Sequence, residues 1–378
     1  MKNICLAVDS FKGSASSIEI EDYIEQGIRK VDDDVCIKKI PISDGGEGFV
    51  QIFTNFFNGK LHHSEIHDAY GRKTDALWGI VNDKVILEVA EVAGLPSKLD
   101  DDDPLDATTA GLGELLNLVL EKVHPKQVLI GLGGSSTNDM GAGMAYSLGY
   151  QFLDKNGIEV QPLPRYFNKI DQINKRHLNP NLEGVEFIGF ADVNSPLLGH
   201  NGATFKYGLQ KGIPENKMEF IDNLLASFSN LVNKTVGSDY RLYKGSGAAG
   251  GLGFGIRAFL NGKVKNSMTE MIKLLNIENV VKNSDLVITG EGNLDVQSLD
   301  GKVSGQIADL SKRYHVPVIG VVGNLDITSK QLADSGFDAV FTTGIGPKTL
   351  LESVKDIKKD TELVAEQIFK LIKTLKMN

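Results

Sequence analysis

The sequence predicts an α/β protein of two domains, in which a parallel sheet assembled from both chain ends brackets a second, mixed α/β domain. Three observations carry this expectation. At 378 residues the chain exceeds one typical domain. Strand, helix and strand alternate with short loops at the start of the chain, and the same alternation returns from about Ser267. Between them, "KLHHSEIHDAYGRKTDALWGIVNDKVILEVAEVAG" shows near-alternating apolar and polar residues with "GR" and "ND" turns, the pattern of an antiparallel meander. The two N-terminal strands alone cannot bury both faces of a parallel sheet, and strands of the same kind occur only near the C-terminus. The expected division is therefore 1–60 with 267–378 for the discontinuous domain and 61–266 for the inserted one.

Each element follows from local pattern. "NICLAV" is an apolar run that ends in the polar turn "DSFKG", which predicts a buried strand. "SASSIEIEDYIEQGIRKV" carries Ile20, Ile24 and Ile28 at helical spacing behind serines suited to capping. "VCIKKIPIS" is a second strand and leads into "DGGEG". After the meander, "TTAGLGELLNLVLEKV" reads as a helix and "KQVLI" as a strand feeding "GLGGSSTNDMGAGM", with a helix opening at "AYSLGY". "GVEFIGFADVNSP" is a strand with a polar end, and "GSGAAGGLGFGIRAFL" a glycine-rich loop opening an apolar helix. The C-terminal alternation runs through "MTEMIKLLN", "SDLVITGEG", "SGQIADLSKRY", "VPVIGVVGN" and "DAVFTTG" to a final helix from about Leu350.

Composition removes several function classes. A net charge of −9 without a basic stripe argues against nucleic acid or an anionic membrane as partner. No apolar run approaches the ~20 residues needed to span a bilayer. The N-terminus has neither the apolar length nor the cleavage pattern of a signal peptide, so a cytoplasmic location is expected. Cys5 and Cys36 both lie in apolar runs and are expected as small core residues. His62, His63 and His67 fall in the meander and are expected at the surface, which speaks against zinc. The run 100–103 is expected to be a solvated loop.

The chemical content lies at strand ends. "DSFKG", "DGGEG", "GGSSTND", "DVNSP" and "GEGNLD" each follow a strand, and open parallel sheets bind ligands beyond the carboxyl ends of their strands. Glycines free backbone N–H groups for phosphate oxygens. Carboxylates suit phosphate only with a cation between. Asp44, Glu47, Asp139, Asp192, Glu291 and Asp295 thus point to Mg²⁺, a polyhydroxy substrate or general-base work. Lys12, Lys211 and Lys302 can neutralise a transferred phosphoryl group. The two standard nucleotide signatures are lacking: no G-x-x-x-x-G-K-[ST] occurs, and the G-x-G-x-x-G at Gly245, Gly247 and Gly250 follows the polar "GSDYRLYK" rather than a parallel strand.

"DSFKGS", "DGGEG", "GGSSTNDMGAGM", "DVNSPLLGHNGAT", "LQKG", "GAAGGLG" and "GEGNLDVQSLDGK" stand in the order found in the bacterial glycerate kinase family of the GarK/GlxK type, which the chain resembles over essentially its whole length. The resemblance implies transfer of the ATP γ-phosphoryl group to D-glycerate with Mg²⁺. It also implies a Rossmann- or flavodoxin-like domain built from both chain ends, an inserted domain, and an active site between them. Asp192 is the candidate general base and Asp295 its competitor, with Lys12 and Lys211 beside them as catalytic cations that, with Ser10, are also candidates for the glycerate carboxylate or the γ-phosphate. Asp44, Glu47 and Glu291 are the candidate metal ligands. Ser10, Gly133, Gly134, Ser135, Thr137, Asn138, Asp139, Gln210, Gly250, Gly251, Gln297 and Lys302 are candidates for substrate or phosphate. For Asp44 and Asp9, capping of the next helix is the competing role. The chain departs from the family pattern at Val8, Ser136, Met140, "YGL" (207–209) and "VSGQ" (303–306), without losing a charged or hydroxyl group. Expected partners are D-glycerate and ATP, with a homodimer left open. The alternatives are a two-domain sugar-acid binding protein, a kinase for another small hydroxy acid, and a nicotinamide-dependent dehydrogenase, which would need a glycine fingerprint where "DSFKGS" stands.

Overall fold

A computed structural model describes residues 2–43, 45–299 and 302–376. The chain forms two compact units, residues 1–44 with 268–378 and residues 45–267. The first unit opens with β1 (Asn3–Val8) and β2 (Cys36–Lys39). The second carries β3 (Lys60–His67), β4 (Lys73–Val81), β5 (Lys84–Glu88), β6 (Gln127–Gly131), β7 (Gln151–Leu153), β8 (Gln172–Asn174), β9 (Glu186–Ala191) and β10 (Lys263–Asn266). The chain then returns to the first unit with β11 (Leu286–Gly290), β12 (Asn293–Leu294), β13 (Val318–Val322), β14 (Asn324–Leu325) and β15 (Ala339–Thr342).

The first unit is a five-stranded sheet of order β15-β13-β11-β1-β2, parallel throughout. In chain order this is the 2-1-3-4-5 arrangement of flavodoxin-like sheets, whose switch point lies between β1 and β11. The helix Ser17–Arg29 starts with a capping box between Ser16 and Glu19. Its Ile20, Ile24 and Ile28 are wholly buried and join Leu6, Val8, Ile288, Val321 and Phe369 in one core. Gly27 lets the final helix, Leu350–Lys376, approach closely: a Cβ there would stand 2.8 Å from that of Ala365.

The second unit holds a six-stranded sheet of order β10-β9-β6-β5-β4-β3. The strands β5, β6, β9 and β10 are parallel, and β4 and β3 add the antiparallel meander. The architecture is thus two α/β domains, one sheet being built from N- and C-terminal strands.

Four local differences from the sequence reading have physical causes. The compact units divide at 44/45 rather than near 60, because Phe49 and Phe53 of the helix Phe49–Phe56 pack with tilted rings against Phe190 of β9. The meander stops at Glu88, and "VAEVA" forms a short helix, Val89–Ala93. Cys5 is buried as expected, but Cys36 is exposed, because β2 is the edge strand of its sheet. Inside the helical stretch Ala248–Leu260, residues 249–251 are left-handed, so the regular helix begins only after Gly251. Of the meander histidines, His63 pairs with Asp75 and His67 with Glu114 at the surface, whereas His62 is half-buried and stacks on the buried Trp78.

Candidate active site

In the first unit, the carboxyl ends of β1 and β11 lie side by side, with Val8 in register with Gly290. Asp9 N–H donates to the Gly290 carbonyl at 2.9 Å, and Asp9 Oδ1 accepts from Ser10 N–H at 2.7 Å. The loops after the two strands touch: a Cβ on Gly292 would stand 3.2 Å from Phe11 Cα, a tight contact that glycine avoids. Glu291 is buried there, with its two carboxyl oxygens accepting from Ser298 Oγ, at 2.8 Å, and Ser304 Oγ. Burial raises its pKa, against the hydrogen bonds of Ser304 and Ser298 and the charge of Lys302. Asp295 accepts from Ser298 N–H at 2.9 Å, and Lys302 Nζ stands 3.7 Å from its Oδ1. Lys12 is exposed and Ser10 half-buried. Thus Ser10, Glu291, Asp295 and Lys302 gather at the carboxyl edge around the switch point. Asp44 and the side chain of Gln297 lie outside the described residues.

In the second unit, register aligns the carboxyl ends of four strands: Glu88 of β5 with Gly131 of β6, Gly131 with Phe190 of β9, and Ala191 with Asn266 of β10. Asp192 follows β9 at this edge and is half-buried. The loop 132–141 follows β6. Gly133 lies against the chain at Gly46, where a Cβ would come within 2.7 Å of Gly46 N, and its own N–H donates to the Gly45 carbonyl. Gly134 has φ +71°.

Asp139 turns out to hold the loop itself. It is fully buried and accepts from Thr109 N–H (2.8 Å), Thr109 Oγ1 (2.8 Å), Gly141 N–H (3.0 Å) and Gly143 N–H (3.1 Å). Burial raises its pKa and these four bonds oppose the rise. A carboxylate so occupied has little capacity left for a ligand.

Lys211, a candidate catalytic cation, lies buried at this edge. It closes a short 3₁₀ turn, Leu209–Lys211, that places it inside while Gln210 stays exposed. Its Nζ donates to Ser135 Oγ at 3.0 Å and to the Thr137 carbonyl at 2.6 Å. Burial lowers its pKa to about 7, against the field of Asp139. Asn138 Nδ2 donates to Thr204 Oγ1 at 3.1 Å. Thr137 Oγ1 and Asn138 Oδ1 are buried without a hydrogen-bond partner. Gly250 and Gly251, at φ +63° and +86°, press the glycine loop onto 137–140. A Cβ on Gly250 would stand 2.6 Å from Asn138 Cα, and the Gly250 carbonyl accepts from Met140 N–H at 3.0 Å. Both candidate glycines thus make close contacts with the loop 137–140.

One buried carboxylate at this edge escaped sequence reading. Glu88 ends β5 and is buried, with Gly48 N–H donating to its Oε1 at 3.3 Å and Val50 N–H to its Oε2 at 2.9 Å. It caps the helix Phe49–Phe56, whose own cap position, Gly48, has no side chain to do so. Burial pushes its pKa up to about 8, against those two bonds, and Glu91 and Glu47 add repulsion. Its signal in the sequence was a lone carboxylate closing an apolar strand, immediately before a helix. Glu47 itself is exposed. Among the described residues no group of three or more His, Cys, Asp and Glu is arranged to hold a metal ion, and no helix is long and apolar enough to cross a membrane.

Comparison with known proteins places these loops in context. The sequence model of the "Glycerate kinase family" matches residues 4–373. A protein from Bacillus subtilis (strain 168) named glycerate kinase is 34% identical over 376 residues, covering 99% of this chain and 98% of its own. A protein from Escherichia coli (strain K12) named glycerate 2-kinase is 37% identical over 348 residues, covering 91% of each chain. A crystal structure of the protein proposed as glycerate kinase 2 of Salmonella typhimurium LT2 superposes with a TM-score of 0.84 at 32% identity, over 100% of both chains.

Proposed function

We propose that this chain, which belongs to the glycerate kinase family and is a phosphotransferase of that type, transfers the γ-phosphoryl group of ATP to D-glycerate, with Mg²⁺. The observation that supports this most is that polar glycine loops crowd the carboxyl ends of the parallel strands in both sheets, in a chain that aligns end to end with the family.

In this reading a glycerate hydroxyl attacks the γ-phosphorus. Its O–H bond breaks and the proton passes to Asp192, or to Asp295 if the base belongs to the first unit. The new O–P bond forms as the bond from the γ-phosphorus to the bridging oxygen breaks, and ADP leaves with that electron pair. Lys12 and Lys302 offset charge on the phosphoryl oxygens. The candidate metal ligands suit Mg²⁺ unequally: Glu47 is exposed and able to approach a hydrated ion, whereas both oxygens of Glu291 already accept from serines. A bound Mg²⁺ would supply charge neutralisation on the transferred phosphoryl group. Glu291 then serves to hold Ser298 and Ser304, and through Ser298 the Asp295 turn.

A coupled assay tests this. ADP release should require D-glycerate, ATP and Mg²⁺, and NMR of the product should identify 2- or 3-phosphoglycerate; the Escherichia coli relative is named a glycerate 2-kinase. ADP formation no faster with D-glycerate than without it would refute the reading.

A further inference from the structure

We propose that Lys211, Ser135, Thr137 and Asn138 form the subsite for the carboxylate end of a small hydroxy acid and do not hold phosphate. The inference rests on the kinase reading above for the identity of that acid, D-glycerate, and assigns it to the second unit.

Four features of the cluster point the same way. All four side chains are more than nine-tenths buried. The lysine faces only neutral acceptors, Ser135 Oγ and the Thr137 carbonyl, which together use two of its three N–H bonds. Thr137 Oγ1 is unpaired in the interior, where an unmade hydrogen bond is costly. Asn138 also has one amide atom unpaired; exchanging its Oδ1 and Nδ2 would keep the bond to the Thr204 hydroxyl and still leave the other amide atom unpaired. A ligand that brings one acceptor for Lys211 and Thr137, and a hydroxyl for Asn138, would complete the set.

Charge decides between carboxylate and phosphate. In a site this closed, charges must be paired. Two other charged groups stand near Lys211. Asp139 is saturated by four hydrogen bonds. Lys98 Nζ donates to the Leu99 carbonyl at 3.2 Å and lies 3.1 Å from where a Cβ on Gly212 would stand. Lys98 is only half-buried, so among the described residues the interior holds one lysine, which matches the single charge of a carboxylate. A phosphate dianion or a triphosphate would bring more negative charge than Lys211 can pair, beside an Asp139 that is itself an acceptor. Glycerate is compact, singly charged and carries two hydroxyls.

The experiment is calorimetric titration of the full chain with D-glycerate in the absence of nucleotide, in buffers of different ionisation enthalpy. Lys211 is largely neutral at about pH 8 in the free protein, and pairing with a carboxylate favours its charged form. Binding should therefore take up close to one proton per site at about pH 8 and little at about pH 6. Lys211→Met should abolish the uptake and weaken binding. Thr137→Val removes only the unpaired hydroxyl and leaves the carbonyl that Lys211 uses, so it tests the site without disturbing the fold; roughly 10-fold weaker glycerate binding is expected. Inorganic phosphate should not compete. Glycerate affinity unchanged in both variants, or phosphate displacing glycerate, would overturn the assignment. If the unchanged variants still phosphorylate glycerate, the kinase reading stands without the subsite. Glycerate binding with proton uptake but no phosphorylation would uphold the subsite and refute the kinase reading.

Discussion

The two carboxyl edges are written in the same vocabulary of glycine, serine, threonine, asparagine and aspartate, yet they use it differently. At the first unit's edge the charged groups engage one another and neighbouring serines: Glu291 with Ser298 and Ser304, and Asp295 with Ser298 and Lys302. At the second unit's edge the aspartate of the motif is consumed in holding the loop, and the charge left in the interior is Lys211. A motif carboxylate is therefore no guide to its role until its hydrogen bonds are counted. Asp139 and Asp192 look alike in sequence. One is closed on all sides by N–H and O–H donors, and the other is half-buried at the end of β9.

That contrast breaks or holds on substitution. Asp192→Asn should lower kcat by roughly 10²-fold or more, with thermal stability little changed, because it removes a base and leaves the shape. If kcat stays near wild type while Asp295→Asn is impaired, the base belongs to the first unit. Asp139→Ala should do the reverse: it strands Thr109 N–H, Gly141 N–H and Gly143 N–H in the interior, at a cost on the order of 3 kcal/mol or more, read from urea unfolding. A stable Asp139→Ala protein would show that the loop does not depend on that carboxylate.

Glu88 sharpens the comparison through pH. Its folded pKa, about 8, lies above that of an unfolded glutamate, so between about pH 4.5 and 8 the folded state binds more protons. Stability contributed by this group is present at low pH and is lost as pH rises through that window, by at most about 1.4 kcal/mol per pH unit. Lys211 has the opposite sign. Its folded pKa is depressed to about 7, so the folded state binds fewer protons between about pH 7 and 10.5, and stability rises with pH there. Glu88→Gln should flatten the first slope and Lys211→Met the second, both measured as the midpoint of urea unfolding against pH. Unaltered slopes would mean that these groups titrate as they do in water.

The smallest effect concerns the thiols. Cys36, on the edge strand, should react with a thiol reagent in the native protein, whereas Cys5 should react only after unfolding. Burial also pushes the Cys5 thiol up to about 12, which suppresses its thiolate. Equal reactivity of both would contradict the edge position of β2.

Much was legible in the sequence because it is local. Isoleucines at every fourth residue determined the helix Ser17–Arg29, and Ser16 with Glu19 determined where it starts. The antiparallel meander followed from alternation, and the need of two lone strands for partners identified the sheet shared by both chain ends. The motif loops were recognisable by composition, and their order pointed to the family. Tertiary structure alone decided what is not local. Whether Cys36 is inside depends on how many neighbours its strand has in the sheet, which a single strand does not encode. Glu88 became a helix cap because hydrogen bonding brought it to Gly48 and Val50, some forty residues away in the chain. Lys211 was recognisable as a candidate cation but not as a buried one, since lysine is almost always solvated. It is buried with its Nζ on Ser135 Oγ and the Thr137 carbonyl, more than seventy residues away in the chain, and a charge's surroundings, unlike its identity, are set only when the chain has closed around it.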